Sequence, residues 1–318
     1  MTNTILDAVM GLAVADAVGV PVEFKSREAL ILNPVKDMQA YGTYNQPKGT
    51  WSDDTSMTLC LVDSLIKGLD YHDIMTKFLK WFSQAAYSAH EEVFDIGNTT
   101  RESLNRFTNG IIPLECGGMS EFDNGNGSLM RILPILFYLQ TIYGDEFEKN
   151  DVAFEIIHNI SSLTHRHLRS HIACGIYVCV ASKLLKVENI EKAIKAGIDV
   201  AMQYYQNNDK YAVEVKHFMR LTDSRFKELN VSKIKSGGYV VDTLEAALWS
   251  LFNSNDYKTC VLKAVNLGGD TDTVAAVAGG LAGLKYGYNS IPSEWKTAIA
   301  KRDYIENLSN DLYKRLNK

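Results

Sequence analysis

The stretch Leu267-Gly268-Gly269-Asp270-Thr271-Asp272-Thr273, with the run 274–284 behind it, decides how the chain is read. Two carboxylates and two hydroxyls follow directly on a glycine pair. The run behind them carries no charge, only Val, Ala, Gly and Leu, and Val274, Val277, Ala278 and Leu281 recur at helical spacing. A Gly-rich turn therefore delivers Asp270 and Asp272 to the mouth of a buried helix. Residues two apart do not share a helix face, so the two carboxylates converge only if the first still lies in the turn. Hard oxygen donors this close suit Mg²⁺ or Mn²⁺ better than zinc, which prefers Cys and His. The same residues also suit a plain helix N-cap.

An echo of this stretch lies far upstream, in Gly49-Thr50-Trp51-Ser52-Asp53-Asp54-Thr55. A helix follows, with Met57, Leu61, Val62, Leu65 and Ile66 as its apolar stripe. Adjacent Asp53 and Asp54 repel each other unless a cation or partner neutralises them. Two acidic helix mouths, one near each end of the chain, can close on one binuclear metal site.

Working outward, the 318 residues suffice for a sizeable core. Hydrophobic content of 46% and charged content of 22% are ordinary for a globular protein. A net charge of −5 offers no electrostatic footprint for nucleic acid. Cys60, Cys116, Cys174, Cys179 and Cys260 are odd in number and sit mostly in apolar runs, which reads as reduced core thiols in the cytoplasm. No basic region precedes Asp7 to suggest a signal peptide, and no apolar run is expected to reach the ~20 residues of a membrane span. A monomer is expected.

Residues 4–14 predict a helix with Ile5, Leu6, Val9, Leu12 and Ala13 on one face. Gly19 and Pro21 then end it and expose Glu23 on a loop. Residues 25–50 read as a loop with one short helix, and 71–87 as a helix carrying Ile74, Phe78, Trp81 and Phe82. Phe94-Asp95-Ile96-Gly97-Asn98-Thr99-Thr100-Arg101 looks like a capped helix start. Asn124-Gly125-Asn126-Gly127-Ser128-Leu129-Met130-Arg131 alternates Gly with Asn before an apolar helix from Ile132, which suits an anion-binding nest. His167 and His171 stand four apart, but no Cys or acid accompanies them as a zinc site would require. Tyr239 follows two glycines and is either a core plug or a ligand contact. Beyond residue 290 the chain reads as a polar helical tail. Helical patterns dominate, so the expected fold is all-α, in a single domain over 1–318 with its core in about 4–290.

Taken together, Gly-Thr-Trp-Ser-Asp-Asp-Thr and Asn-Leu-Gly-Gly-Asp-Thr-Asp-Thr resemble the ADP-ribosylglycohydrolase family, which includes the bacterial dinitrogenase reductase-activating glycohydrolase and the animal ADP-ribosylhydrolases. Further segments match in order from about residue 5 to residue 290, including an opening motif that keeps Asp16, Gly19, Pro21 and Glu23 but has Ala15 where the family usually has Gly. The resemblance implies an orthogonal helical bundle that hydrolyses the bond between ADP-ribose and a protein side chain. It implies two Mg²⁺ (or Mn²⁺) ions on Ser52, Asp53, Asp54, Asp270, Asp272 and Thr273; Ser52 stands where Thr is more usual and keeps the hydroxyl. Glu23 or Asp95 would do acid–base work. Asn98 would line the substrate ribose, and Asn126, Gly127, Ser128 and Met130 would hold the pyrophosphate and proximal ribose. His165 and Tyr239 would contact the ADP-ribose. The Asp95–Arg101 segment resembles the arginine-directed bacterial branch, so an arginine-linked substrate is expected over a serine or O-acetyl linkage. Two other readings of the same motifs are an inert ADP-ribose binder and a two-metal hydrolase of the pyrophosphate.

Overall fold

The computed structural model describes residues 3–317 and is built of helices. They are α1 (Thr4–Gly19), α2 (Arg27–Leu32), α3 (Asp53–Lys67), α4 (Tyr71–Gln84), α5 (Asn98–Thr108), α6 (Ile135–Tyr143), α7 (Asp151–Ser162) and α8 (Leu168–Lys186). After these come α9 (Ile190–Gln206), α10 (Ala212–Val215), α11 (Val240–Phe252), α12 (Tyr257–Val265), α13 (Thr271–Tyr286), α14 (Ser293–Ala298) and α15 (Arg302–Leu316). Among the described residues, extended pairing is limited to three isolated bridges. The all-α expectation holds.

The centre is an antiparallel pair, α1 against α13, made from segments far apart in the sequence. Their facing positions are small, so the backbones touch. A Cβ on Gly11 would stand 2.6 Å from the Gly279 carbonyl oxygen, and one on Gly283 only 2.2 Å from that of Asp7. Such contacts leave no room for any other residue. Thr271 Oγ1 donates to the Gly19 carbonyl at 2.8 Å, which sets the start of α13 beside the end of α1. Around this pair pack α3, α8, α11, α12 and α15.

Several boundaries differ from the sequence reading. Helix α1 runs on to Gly19, because its last turn is buried against α13 and keeps its helical bonds. Helix α4 stops at Gln84, where Ala85 turns left-handed at φ 52°. The apolar helix expected from Ile132 begins at Ile135, after turns that end in Pro134. The polar tail is part of the core: Trp295, Ile305 and Leu312 are fully buried, and Trp51 Nε1 donates to the Ala300 carbonyl at 3.0 Å. Polar positions on one face of α15 hid an apolar stripe on the other. Residues 4–22 and 168–186 each form 19 residues apolar enough to span a membrane, contrary to expectation, yet 94% and 83% of the 18-residue apolar window in each is buried inside the protein. They are core helices.

Candidate active site

The first acidic motif is shaped by a residue from another helix. The opening N–H groups of a helix have no partner within it. At α3 they are met by Asp16, a fully buried side chain on α1. Its carboxylate accepts from Ser52 N at 3.0 and 3.1 Å, from Thr55 N at 3.1 Å and from Thr55 Oγ1 at 2.6 Å. Capped from outside, α3 leaves the carboxylates of Asp53 and Asp54 free for other work. Ser52 Oγ donates to Asp54 Oδ2 at 3.0 Å.

The second motif turns on its glycine pair. Gly268 and Gly269 have φ of +75° and +76°, a region only glycine enters without strain. A Cβ on Gly269 would also stand 2.5 Å from the Ser236 carbonyl oxygen. Asp270 follows at the cap position of α13, but its side chain makes no capping bond. It accepts from Asn126 Nδ2 at 2.8 Å instead. The plain-cap reading therefore fails at Asp270. Thr273 Oγ1 donates to Asp54 Oδ2 at 3.2 Å, so the two motifs, 219 residues apart in sequence, touch.

Glu23 is only 3% exposed, not displayed on an open loop as its Gly and Pro neighbours suggested. Phe24 N donates to the Gly269 carbonyl at 2.7 Å and Thr43 Oγ1 donates to the Glu23 carbonyl at 2.7 Å, which folds the loop inward. Tyr44 OH donates to Asp95 Oδ1 at 2.7 Å. Asp95 holds φ at 58°, an uncommon backbone for a residue other than glycine, and that is where local strain accumulates at working sites. One oxygen each from Glu23, Asp95 and Asp272 lies within 4.8 Å of the others. Glu23 Oε2, Asp54 Oδ1 and Asp272 Oδ2 are buried and have no hydrogen-bond partner among the described residues. Orphaned buried carboxylate oxygens are costly, and a hard cation is the group that satisfies them.

Burial, and after it the crowding of like charges, pushes Asp53, Asp54 and Asp272 well above the usual carboxylate range. The same causes raise Glu23 to about 9, and burial raises Asp16 to about 7. A bound divalent cation reverses this logic. The sign follows for stability. A carboxyl whose folded pKa lies above its unfolded value favours the fold fully below about 4 and loses that contribution as pH rises through the folded value. The metal-free protein is therefore expected to melt at progressively lower temperature from about pH 5 to about pH 9. Added Mg²⁺ should raise the melting temperature most at the alkaline end. Calorimetric scans in chelator tell the outcome; a melting temperature that climbs over this range contradicts the cluster's charge balance.

Several of these side chains line a cleft of about 250 Å³. Glu23, Asp53, Asp95, Asp270 and Thr273 line it, together with Asn98, Asn126, Gly127, Met130 and His165. Ser52, Asp54 and Asp272 are buried and do not line it. Two further expected contacts do not line it either. The Ser128 hydroxyl is fully buried and bonds Ser161 Oγ at 2.9 Å, because its loop turns it toward α7. Tyr239 is half-buried beside the cleft, with the Arg169 guanidinium 5.7 Å from its ring centre. Tyr44 and Phe24, which sequence reasoning passed over, belong to the site: one holds Asp95 and the other lines the mouth. A larger surface cavity of about 690 Å³ around Tyr204 and Lys210 shares none of these residues, so size alone does not mark the site.

Fold and cleft together define an all-helical protein with a buried acidic centre. A sequence model of the ADP-ribosylglycohydrolase family matches residues 2–318, and the chain belongs to that family. It is 32% identical over 314 residues to the ADP-ribosylarginine hydrolase Tri1 of Serratia proteamaculans, covering 96% of this chain and 78% of the relative. It is also 32% identical over 299 residues to the ADP-ribosyl-(dinitrogen reductase) glycohydrolase of Rhodospirillum rubrum, covering 92% and 89%. A solved structure described as an ADP-ribosylglycohydrolase-related protein complex superposes with a TM-score of 0.80 at 30% identity, over 99% of this chain and 98% of that one.

Proposed function

We propose that the protein releases ADP-ribose from mono-ADP-ribosylated arginine on a protein substrate, using two divalent cations, Mg²⁺ or Mn²⁺. The observation that carries this reading is the carboxylate of Asp95, which lines the cleft, is held by Tyr44 and lies within 4.8 Å of oxygens of Glu23 and Asp272. A guanidinium is planar and cationic, and pairs best with such a fixed carboxylate. A serine linkage presents no such charge. The relatives named for arginine linkage point the same way.

The orphaned oxygens and the all-oxygen donor set fit hard cations. Ser52, Asp53, Asp54, Asp270, Asp272 and Thr273 would hold them. Bound there, they would supply Lewis acidity toward the distal ribose hydroxyls and an acidified water. The protein's own residues do the rest. Asn98 and Met130 border the ribose end of the cleft. Asn126 is fixed by Asp270 and by Thr243 Oγ1 at 2.9 Å, and presents the Gly127 loop to the pyrophosphate. Asp95 holds the guanidinium as positive charge develops at C1″ in an oxocarbenium-like transition state. Glu23 moves the proton: it takes one from the attacking water as the C1″–N bond breaks, and the departing guanidine leaves with the bond's electron pair.

Two defined peptides, one ADP-ribosylated on arginine and one on serine, test this side by side. Arginine-linked peptide should be cleaved roughly 10²-fold faster or more, the scale of discrimination a site built around one polar contact provides. Faster cleavage of the serine-linked peptide overturns the linkage. AMP in place of free ADP-ribose among the products would instead mark a pyrophosphate hydrolase.

A further inference from the structure

Arg131 closes the Gly-Asn-Gly loop and is completely buried, yet among the described residues no carboxylate lies within ion-pair distance of it. Buried arginines almost always find a counter-ion. This one turns its two terminal nitrogens to neutral oxygens. Nη1 donates to the Gly127 carbonyl, and Nη2 donates to Thr164 Oγ1 at 2.7 Å and reaches the Ile160 carbonyl at 3.4 Å. Its guanidinium carbon lies 4.9 Å from the ring centre of Phe78. Thr164 Oγ1 in turn lies 2.8 Å from His165 Nδ1.

We infer that Arg131 and Thr164 form a relay that fixes the tautomer of His165, so that its Nε2 carries the hydrogen and donates to an oxygen of the ligand in the cleft. The argument is one of donors and acceptors. Arginine can only donate, so Thr164 Oγ1 must accept from it. The threonine hydroxyl is fully buried, and its own hydrogen needs an acceptor. His165 Nδ1 is the acceptor beside it. A nitrogen that accepts carries no hydrogen, which leaves Nε2 as the N–H of the neutral ring. Burial keeps the ring neutral, lowering its pKa to about 3.

The ring is aimed as well as protonated. Ser161 Oγ donates to the His165 carbonyl at 2.8 Å, and His165 N donates to the Ser161 carbonyl at 2.8 Å. The glycines of the loop make its space. A Cβ on Gly127 would stand 2.8 Å from His165 Cε1, and one on Gly125 3.4 Å from Nε2. Arg131 thus holds the loop with one nitrogen and, through Thr164, the histidine with another. The Gly127 loop and the histidine beside it are thereby tied to one side chain. Arg131 and Thr164 are positioning residues, since neither lines the cleft.

This inference rests on the reading that the cleft takes ADP-ribose, but its core is measurable without any ligand. In Mg²⁺-loaded full-length protein labelled with ¹⁵N-histidine, long-range ¹H–¹⁵N spectra report which ring nitrogen of His165 is protonated. The expected pattern is a bare Nδ1 and a protonated Nε2. Thr164→Ser should keep both the pattern and the affinity for free ADP-ribose measured by calorimetry. Thr164→Val should lose the fixed tautomer and bind ADP-ribose roughly fivefold to tenfold more weakly, the worth of one hydrogen bond. A protonated Nδ1 in the wild-type protein overturns the relay, and so does a Thr164→Val protein whose tautomer and affinity are unchanged. Should Thr164→Val not fold, the wild-type spectrum and the serine variant still decide. Wild-type protein that shows the expected tautomer but binds no ADP-ribose would sink the functional reading and leave the relay standing.

Discussion

Asp272→Asn is expected to slow ADP-ribose release by roughly 10³-fold or more, since ligand-held cations supply several kcal/mol of charge stabilisation in the transition state. Asp272 is fully buried, one of its oxygens is orphaned, and it offers an oxygen within 4.8 Å of oxygens of Glu23 and Asp95. An amide fits the same volume. It removes a charge that burial and its neighbours already disfavour. The metal-free variant should therefore melt at the same or a higher temperature than wild type, while the rise produced by Mg²⁺ largely disappears. Activity and melting moving in opposite directions is the signature sought. A variant of near wild-type activity would reduce the second acidic motif to a structural feature.

Glu23→Gln is expected to lower kcat by roughly 10²–10⁴-fold, the usual contribution of a proton-transfer group. Binding of free ADP-ribose should change little, because the loop is held through its backbone. The bonds from Phe24 N and Thr43 Oγ1 do not involve the Glu23 side chain and survive the change. Calorimetric titration beside single-turnover kinetics separates the two effects. Affinity falling in step with turnover would make Glu23 a positioning group.

What could be read in advance followed from periodicity. The apolar runs behind Asp54 and Thr273 are long and clean, so α3 and α13 were legible with their acidic mouths. The turn glycines before Asp270 were legible for the same reason. Asp16 was different. Its partners lie 36 and 39 residues away, and nothing local tells an aspartate that caps a distant helix from one that faces water. Tyr44 sits in a turn-rich segment without period, so its bond to Asp95 left no trace. The depth of Glu23 was misread because Gly19 and Pro21 mark a turn, and turns are usually wet. Here a second loop, 268–269, covers the first. Ser128 was placed by its motif, but which way one side chain leaves a tight turn depends on the local backbone.

The pairing of α1 with α13 has a consequence for how the protein is made. Thr271 reaches Gly19 across 252 positions. At ribosomal rates of ~5–20 residues per second, the last central helix emerges on the order of tens of seconds after the first. Through that interval α1, one of the most apolar segments in the chain, waits for the partner it will touch backbone to backbone. Each nascent chain thus exposes a sticky helix for most of its own synthesis. The length of that exposure is set by the 252 positions between Gly19 and Thr271.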